Sequence, residues 1–350
     1  MDKPLRKGWT TGACAAAAAK AAWGALLTGV FADPVAIRLP RGDTPSFALS
    51  RTERGDDWAR TGIIKDAGDD PDVTHGAEIV VTVTALAAGS GLVFEAGDGV
   101  GRVTLPGLPL AVGEPAINPG PRAQIAAAMG SLGAPVDALV SIAIPGGAAL
   151  AAQTMNGRLG ILGGLSILGT TGVVIPYSCA AWIHSIQRGV DVARACGLDH
   201  VAGCTGKTSE SAVRRLHGLD ERAMIDMGGF AGALLKYLRR HPVARLTLGG
   251  GFAKMTKLAA GAMDLHSKAT AVDFAFLRRL LAEQGGDAEQ LRLADSAVSA
   301  AQILTIAAAL PLAEAVARRA RETALATLSG GVSVDVAVFD RQGRLIGHAG

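Results

Sequence analysis

Apolar and polar positions follow three successive patterns along this chain. Near the start, Thr10 or Thr11 can cap a helix that opens on alanines and continues through Trp23, Leu26, Leu27 and Val30 at helical spacing. That spacing predicts a helix with one buried face. The pattern then becomes strand-like. Val35 to Leu39, Phe47 to Thr52, Trp58 to Ile64, Glu78 to Leu86 and Gly101 to Leu105 alternate or are β-branched, with Gly and Pro turns between them. A helix over Pro121 to Leu132 closes this part, after a proline-rich loop from Leu108 to Pro121.

From about Val136 the rhythm alternates. Predicted strands are Ala138 to Ile144, Gly172 to Ile175, His200 to Cys204, Ala223 to Met227 and Ala244 to Leu248. Predicted helices are Ser178 to Cys196, Ser209 to His217, Phe230 to His241 and Ala253 to Met263. Helical segments follow from Asp273 to Leu328, then a hairpin turning at Asp340 to Gly343. Consecutive strands imply an α+β domain over 1–135. Alternation implies an α/β domain with a parallel, Rossmann-like sheet over 136–350.

Composition narrows the function classes. Hydrophobic residues make up 49% of the 350-residue chain and aromatics only 4%, so the cores rest on Ala, Val, Ile and Leu. A net charge of +3 is too small to argue for nucleic acid. Cys14, Cys179, Cys196 and Cys204 form no CxxC pair, which fits a reduced, cytoplasmic enzyme better than a disulfide scaffold or structural zinc site. Lys3, Arg6 and Lys7 before the alanine run mimic a secretory signal, but Lys20 interrupts it. Ala300 to Ala317 is broken by Gln302, Pro311 and Glu314, so neither stretch reads as a membrane segment.

Several motifs admit two readings. The helix start at Thr10 to Gly12, with Lys20 beside the apolar face, reads as an anion site or as a well-capped core helix with a snorkelling lysine. Gly163 to Gly172 is a tight turn or a cradle for an anion or nucleoside, and it lacks the GxGxxG spacing. Gly203-Cys204-Thr205-Gly206-Lys207-Thr208 ends like a P-loop, but Val201 stands where that motif needs its first glycine. What remains is a strand-to-helix junction of the kind that faces ligand crevices. Asp66, Asp69, Asp70, Asp72 and His75 fail as a calcium loop, because His75 and Val81 occupy the glycine and glutamate positions. They read as a solvated turn, or as crowded carboxylates that raise one another's pKa for acid/base work. His266 reads as a surface histidine or as a proton carrier.

The run Gly8-Trp9-Thr10-Thr11-Gly12-Ala13-Cys14-Ala15 resembles the opening signature of the CbiD family. These are the cobalt-precorrin-5B C-1 methyltransferases of anaerobic corrin synthesis, which use S-adenosylmethionine. Lys65 to Gly76, Gly113 to Pro119, Asn156 to Gly172 and Lys257 to Gly261 also resemble family blocks, in the same order. Three positions depart from the family pattern: Asp264-Leu265 replaces Asn-Thr before His266, and Gly251 stands where many members have histidine.

The resemblance implies methyl transfer from S-adenosylmethionine to C-1 of cobalt-precorrin-5B, giving cobalt-precorrin-6A in cobalamin biosynthesis. Asp66, Asp70, His75 and His266 are the expected proton carriers. The substrate bears several carboxylates, so Thr10, Thr11, Lys20, Lys65, Arg122 and Arg158 are the expected anchors. The donor is expected along Gly163, Gly164, Gly169, Thr170 and Thr171 and along Gly203, Thr205 and Gly206. No protein metal site is expected, since cobalt arrives inside the substrate. Neither nucleic acid nor membrane is an expected partner; homo-oligomerisation and hand-over to neighbouring pathway enzymes stay open. Two other readings stand beside this one: the same transfer to the cobalt-free precursor, and a non-catalytic corrinoid carrier that binds no donor.

Overall fold

A computed structural model describes Pro4 to Gly350, so Lys3 lies outside the described residues. The chain divides into two units, Met1–Ser178 and Cys179–Gly350.

The first unit runs β1 (Gly8–Trp9), α1 (Thr11–Thr28), β2 (Val35–Ala36), β3 (Ser46–Phe47), β4 (Arg51–Arg54), β5 (Trp58–Ile64), β6 (Glu78–Ala85) and β7 (Leu92–Ala96). It continues with β8 (Arg102–Val103), α2 (Pro119–Gly130), β9 (Ala138–Ala143), α3 (Gly147–Ala151), β10 (Ile161–Leu162) and β11 (Val173–Val174). Its main sheet has the order β4-β5-β6-β9-β7. All its pairs are antiparallel except β7 with β9.

This sheet moves the expected boundary. Ala138 to Ala143 belongs to the first sheet, with Val140 opposite Val83 and Phe94. Val173–Val174 pairs with Gly8–Trp9, so the division falls after Ser178 and not at 135/136. Helix α2 interrupts a run of consecutive strands, and that interruption imitates the onset of α/β alternation.

Helix α1 is the core of this unit. Ala13 to Ala22 are buried apart from Lys20, which is half-buried, and α2, β5 and β6 pack around them. Alanine is the residue that lets a helix be enclosed on every side at close range. Thr61 Oγ1 seals the contact by donating to the Ala18 carbonyl at 2.7 Å. The expected apolar stripe holds only for its first half: Trp23 is buried and Leu26 packs against the core, but Leu27 and Val30 are exposed, and Val30 is 69% accessible.

The second unit runs α4 (Cys179–Ala195), β12 (His200–Cys204), α5 (Lys207–His217), β13 (Met224–Asp226), α6 (Ala231–Leu238), β14 (Arg245–Gly251) and α7 (Phe252–Ala259). Then come α8 (Phe274–Glu283), α9 (Ala288–Asp295), α10 (Ala300–Ala307), α11 (Leu312–Leu328), β15 (Ser333–Phe339) and β16 (Leu345–Ala349). The sheet order is β13-β12-β14-β15-β16, parallel except for the edge strand β16. The expected terminal hairpin is thus a continuation of this sheet. Leu234, Leu238, Leu246, Leu248, Val316 and Val336 share its core. Fully burying each such side chain is worth about 1.5–3 kcal/mol.

The fold class is mixed α/β. Among the described residues no helix is long and apolar enough to cross a membrane.

Candidate functional site

In the first unit, the start of α1 is closed by its own surroundings. Thr10 Oγ1 accepts from Ala13 N at 3.2 Å, and Gly12 N donates to the Leu168 carbonyl at 3.0 Å. The expected open anion site is instead capped by the Gly163 to Gly172 loop. Gly169 serves that contact: a Cβ on it, at φ +120°, would lie 2.2 Å from Thr10 Oγ1, whereas Gly163 has nothing within 4 Å. The carbonyls of Gly169 and Thr170 accept from Gln124 Nε2 on α2. Gly164 packs on Gly99, and the Thr171 hydroxyl bonds the Val173 backbone. This segment buckles α1 to α2, as the tight-turn reading has it. Thr11 is buried.

Lys20 is nine residues down α1 from Thr11, about 13 Å at 1.5 Å per residue. Its ammonium donates to the Ala36 carbonyl at 2.9 Å, so it does not converge with the helix start. Lys65 is 1% exposed and gives its protons to Asp72 and, at 2.7 Å, to Thr74 Oγ1. Thr74 in turn donates to Asp72 Oδ1 through both N–H and hydroxyl. Burial works to raise the Asp72 carboxyl, but the Lys65 charge and these hydrogen bonds outweigh it and hold the group below the usual carboxylate range. Arg122 clamps the proline-rich loop by donating to the Ile117 carbonyl and Glu114 and by stacking on Phe94. These three expected anchors are occupied by protein groups. Arg158, half-buried on the turn before Gly160, is partnered as well.

The carboxylate-rich loop joins β5 to β6. Arg6 makes a two-pronged ion pair with Asp66, which also accepts from Gly68 N at 2.9 Å. These contacts, Arg6 first, hold the Asp66 carboxyl down at about 2, the reverse of the mutual raising expected from crowding. A carboxylate so stabilised is a poor base. Asp70 accepts from Tyr177 N at 2.8 Å. His75 Nδ1 accepts from Ala67 N at 3.1 Å, so the neutral ring carries its proton on Nε2 and offers a donor.

In the second unit, chain connectivity marks one place. From β12 the chain passes to β13 on one side; from β14 it passes to β15 on the other. The crevice at the carboxyl ends of β12 and β14 is therefore a topological switch point, where open α/β sheets bind ligands. Thr205 N extends the ladder to the Gly249 carbonyl at 3.0 Å. Gly206 opens α5, with nothing within 4 Å of where its Cβ would stand. Helices α5, α6 and α7 all begin at this edge without a side-chain cap. Asp226 ends β13 beside Cys204.

Two lysines reach this edge. Lys254 Nζ donates to the Thr205 carbonyl at 2.7 Å and Lys257 Nζ to the Leu265 carbonyl at 3.1 Å. Burial, and then the neighbouring Lys257, lower the Lys254 pKa, although Asp226 opposes them. Leu265 N donates to the Gly229 carbonyl, which brings the Asp264 to Lys268 turn to the loop after β13. There His266 Nδ1 accepts from Lys268 N at 3.2 Å, so its neutral ring too presents Nε2–H.

Of the expected residues, Thr205, Gly206 and His266 belong to this edge. Gly203 lies inside β12, where a Cβ would stand 2.3 Å from Leu234 Cδ2, so it is a packing glycine. Asp226, Lys254 and Lys257 were not anticipated. The signal available for Asp226 was its place at the end of the strand that follows the Gly206 turn.

Comparison with known proteins settles the family. The CbiD family model matches residues 1–176, and the model of the CbiD C-terminal domain matches residues 264–350. The chain belongs to the CbiD family. It is 61% identical over 353 residues to the cobalt-precorrin-5B C(1)-methyltransferase of Paramagnetospirillum magneticum, covering 99% of each chain. It is 59% identical to the protein of the same name from Rhodospirillum rubrum, covering 99% of this chain and 98% of that one. A solved CbiD cobalamin biosynthesis protein from Archaeoglobus fulgidus is 27% identical, covers 76% of this chain and 83% of its own, and has a TM-score of 0.40.

Proposed function

We propose that this CbiD protein transfers the methyl group of S-adenosylmethionine to C-1 of cobalt-precorrin-5B. The observation that carries the reaction is identity of about three residues in five, end to end, with proteins named for it. The sulfonium of S-adenosylmethionine supplies the methyl group when bound. A nucleophilic ring carbon forms the new C–C bond as the S–CH3 bond breaks; the electron pair stays on sulfur, leaving S-adenosylhomocysteine. The protein's share is alignment and exclusion of water, which alone can supply several kcal/mol of the barrier.

The donor reading centres on the second unit, where the sheet is of the parallel, Rossmann-like kind. The expected donor segments fall in different units, and Gly164, Gly169, Thr170 and Thr171 of the first are engaged by their neighbours, so the Gly206 turn carries the reading. Open space beside Gly206 and the uncapped start of α5 support that reading. Asp226, about twenty residues on from Gly206, stands where dinucleotide-binding sheets place the acid that accepts ribose hydroxyls. His266 presents a donor at the same edge. Such a protein works in the cytoplasm.

Calorimetry with S-adenosylhomocysteine tests the donor reading. The wild-type chain binds it, and Asp226→Asn weakens binding about tenfold or more, the scale of a lost charged hydrogen bond. The loss disappears for the analogue without ribose 2′- and 3′-hydroxyls. Equal losses for both nucleosides would make Asp226 a folding residue, and no binding by the wild type would leave only the carrier.

A further inference from the structure

The first unit buries one lysine and pairs it: Lys65 has Asp72 and Thr74. The second unit buries Lys257 to 6% exposure and half-buries Lys254; each ammonium rests on a backbone carbonyl, and Asp226 bears on Lys254 from the end of β13 while Lys257 opposes it. Each ammonium has three N–H donors, and each spends one on a backbone carbonyl. Burying an ammonium whose hydrogen bonds are only partly met is costly.

The placement adds to that cost. Lys254 is the third residue of α7, whose first turn holds no acid and whose positive dipole end repels a cation. The two ammonium groups are near enough for Lys257 to lower the Lys254 pKa. From α7, which follows β14, both reach across the carboxyl edge, Lys254 to the turn after β12 and Lys257 to the Leu265 turn that docks on the loop after β13. An anion arriving between them would relieve desolvation, mutual repulsion and dipole together.

We infer that Lys254 and Lys257 form a carboxylate-binding pair at the carboxyl edge of the second unit's sheet, and that they hold a rim carboxylate of the acceptor macrocycle. This rests on the proposed methyl transfer. Charge separates the two carboxylate sources that reaction offers. S-adenosylmethionine carries a sulfonium and an ammonium against one carboxylate, so the pair repels it as a whole. A polycarboxylate acceptor is attracted at every approach. The pair also offers the anchoring charge that Lys65 and Arg122 spend on Asp72 and Glu114.

The test uses the full chain and two kinds of probe. Uroporphyrin, a polycarboxylate tetrapyrrole, is titrated by fluorescence across a range of salt. S-adenosylhomocysteine and 5′-methylthioadenosine, which lacks the carboxylate, are titrated by calorimetry. Lys257→Met and Lys254→Gln should each weaken uroporphyrin about tenfold or more and flatten its salt dependence. Both nucleosides should bind every variant as they bind the wild type. Lys254→Arg, which keeps the charge at a half-buried position, should retain most of the porphyrin affinity and covers the case in which Lys257→Met fails to fold.

Unchanged porphyrin affinity and salt slope, or no porphyrin binding by the wild type, overturns the pair. Weakening of S-adenosylhomocysteine but not of methylthioadenosine also overturns it, by assigning the lysines to the donor's carboxylate. Failure of the wild type to bind either nucleoside counts against the donor reading instead, and the porphyrin titration still reads the lysines.

Discussion

Replacing Lys65 by methionine separates a fold-building lysine from a substrate-binding one. Methionine keeps the length and packing of the stem and removes the ammonium. Two hydrogen bonds from a charged donor are lost, to Asp72 and Thr74, and each is worth about 1.5–3 kcal/mol. Asp72 keeps 26% side-chain exposure, so water recovers part of its solvation. The net cost is about 2–4 kcal/mol, near the lower range for breaking a buried pair.

In a unit of 178 residues this corresponds to a fall in Tm of about 5–15 °C, at about 2–4 °C per kcal/mol. Calorimetry and circular dichroism of the full chain follow the transition. Asp72 is held below its unfolded pKa, so its contribution is full above that value and is lost as pH falls through the folded one. The gap between wild type and variant is therefore complete at neutral pH and narrows below about pH 4. A Tm within about 1 °C of wild type, joined to weaker corrinoid binding, would refute this reasoning and return Lys65 to the substrate.

Three further outcomes follow from the same geometry. Lys20→Ala removes one hydrogen bond to the Ala36 carbonyl and should cost about 1 kcal/mol of stability, with corrinoid affinity unchanged in an absorbance titration. Gly169→Ala combines φ +120° with a Cβ 2.2 Å from Thr10 Oγ1; it should loosen the cap on α1, lower Tm, and speed amide exchange at Gly12 and Ala13, and wild-type exchange there would sink the explanation. Arg6→Ala should let the Asp66 carboxyl climb from about 2 towards the ordinary 3.8, read by carbon NMR across an acid titration, and a carboxyl that stays low would mean the Gly68 contact suffices.

Local pattern carried much of the fold. The Thr10 cap, strands 58–64 and 78–85, and the strand–helix order from His200 onwards stand in the structure close to their predicted limits. What the pattern could not carry was pairing. Alternation over Leu92 to Ala96 is weak, and the strand there goes unpredicted; it is held by parallel pairing to β9, a contact that no local signal encodes. The boundary failed for the same reason, because β9 completes a sheet that begins at Arg51, well before α2.

The site divides in the same way. Thr205, Gly206 and His266 were legible because a glycine turn after a strand, and a histidine after a helix, are sequence-local features. Lys20, Lys65 and Arg122 were drawn in by charge alone, and their partners Ala36, Asp72 and Glu114 appear only on folding. Lys257 escaped notice for the opposite reason. A lysine in a sequence reads as solvent-facing, and only the fold shows that it is buried with its ammonium on the Leu265 carbonyl.

The most direct test of the central claim supplies the full chain with S-adenosylmethionine carrying an isotopically labelled methyl group, together with cobalt-precorrin-5B, and follows the corrinoid by mass spectrometry and carbon NMR. The account predicts that the macrocycle gains one labelled methyl at C-1 while S-adenosylhomocysteine appears in equal amount. A corrinoid that is bound and returned without the label would contradict it and make the protein a carrier.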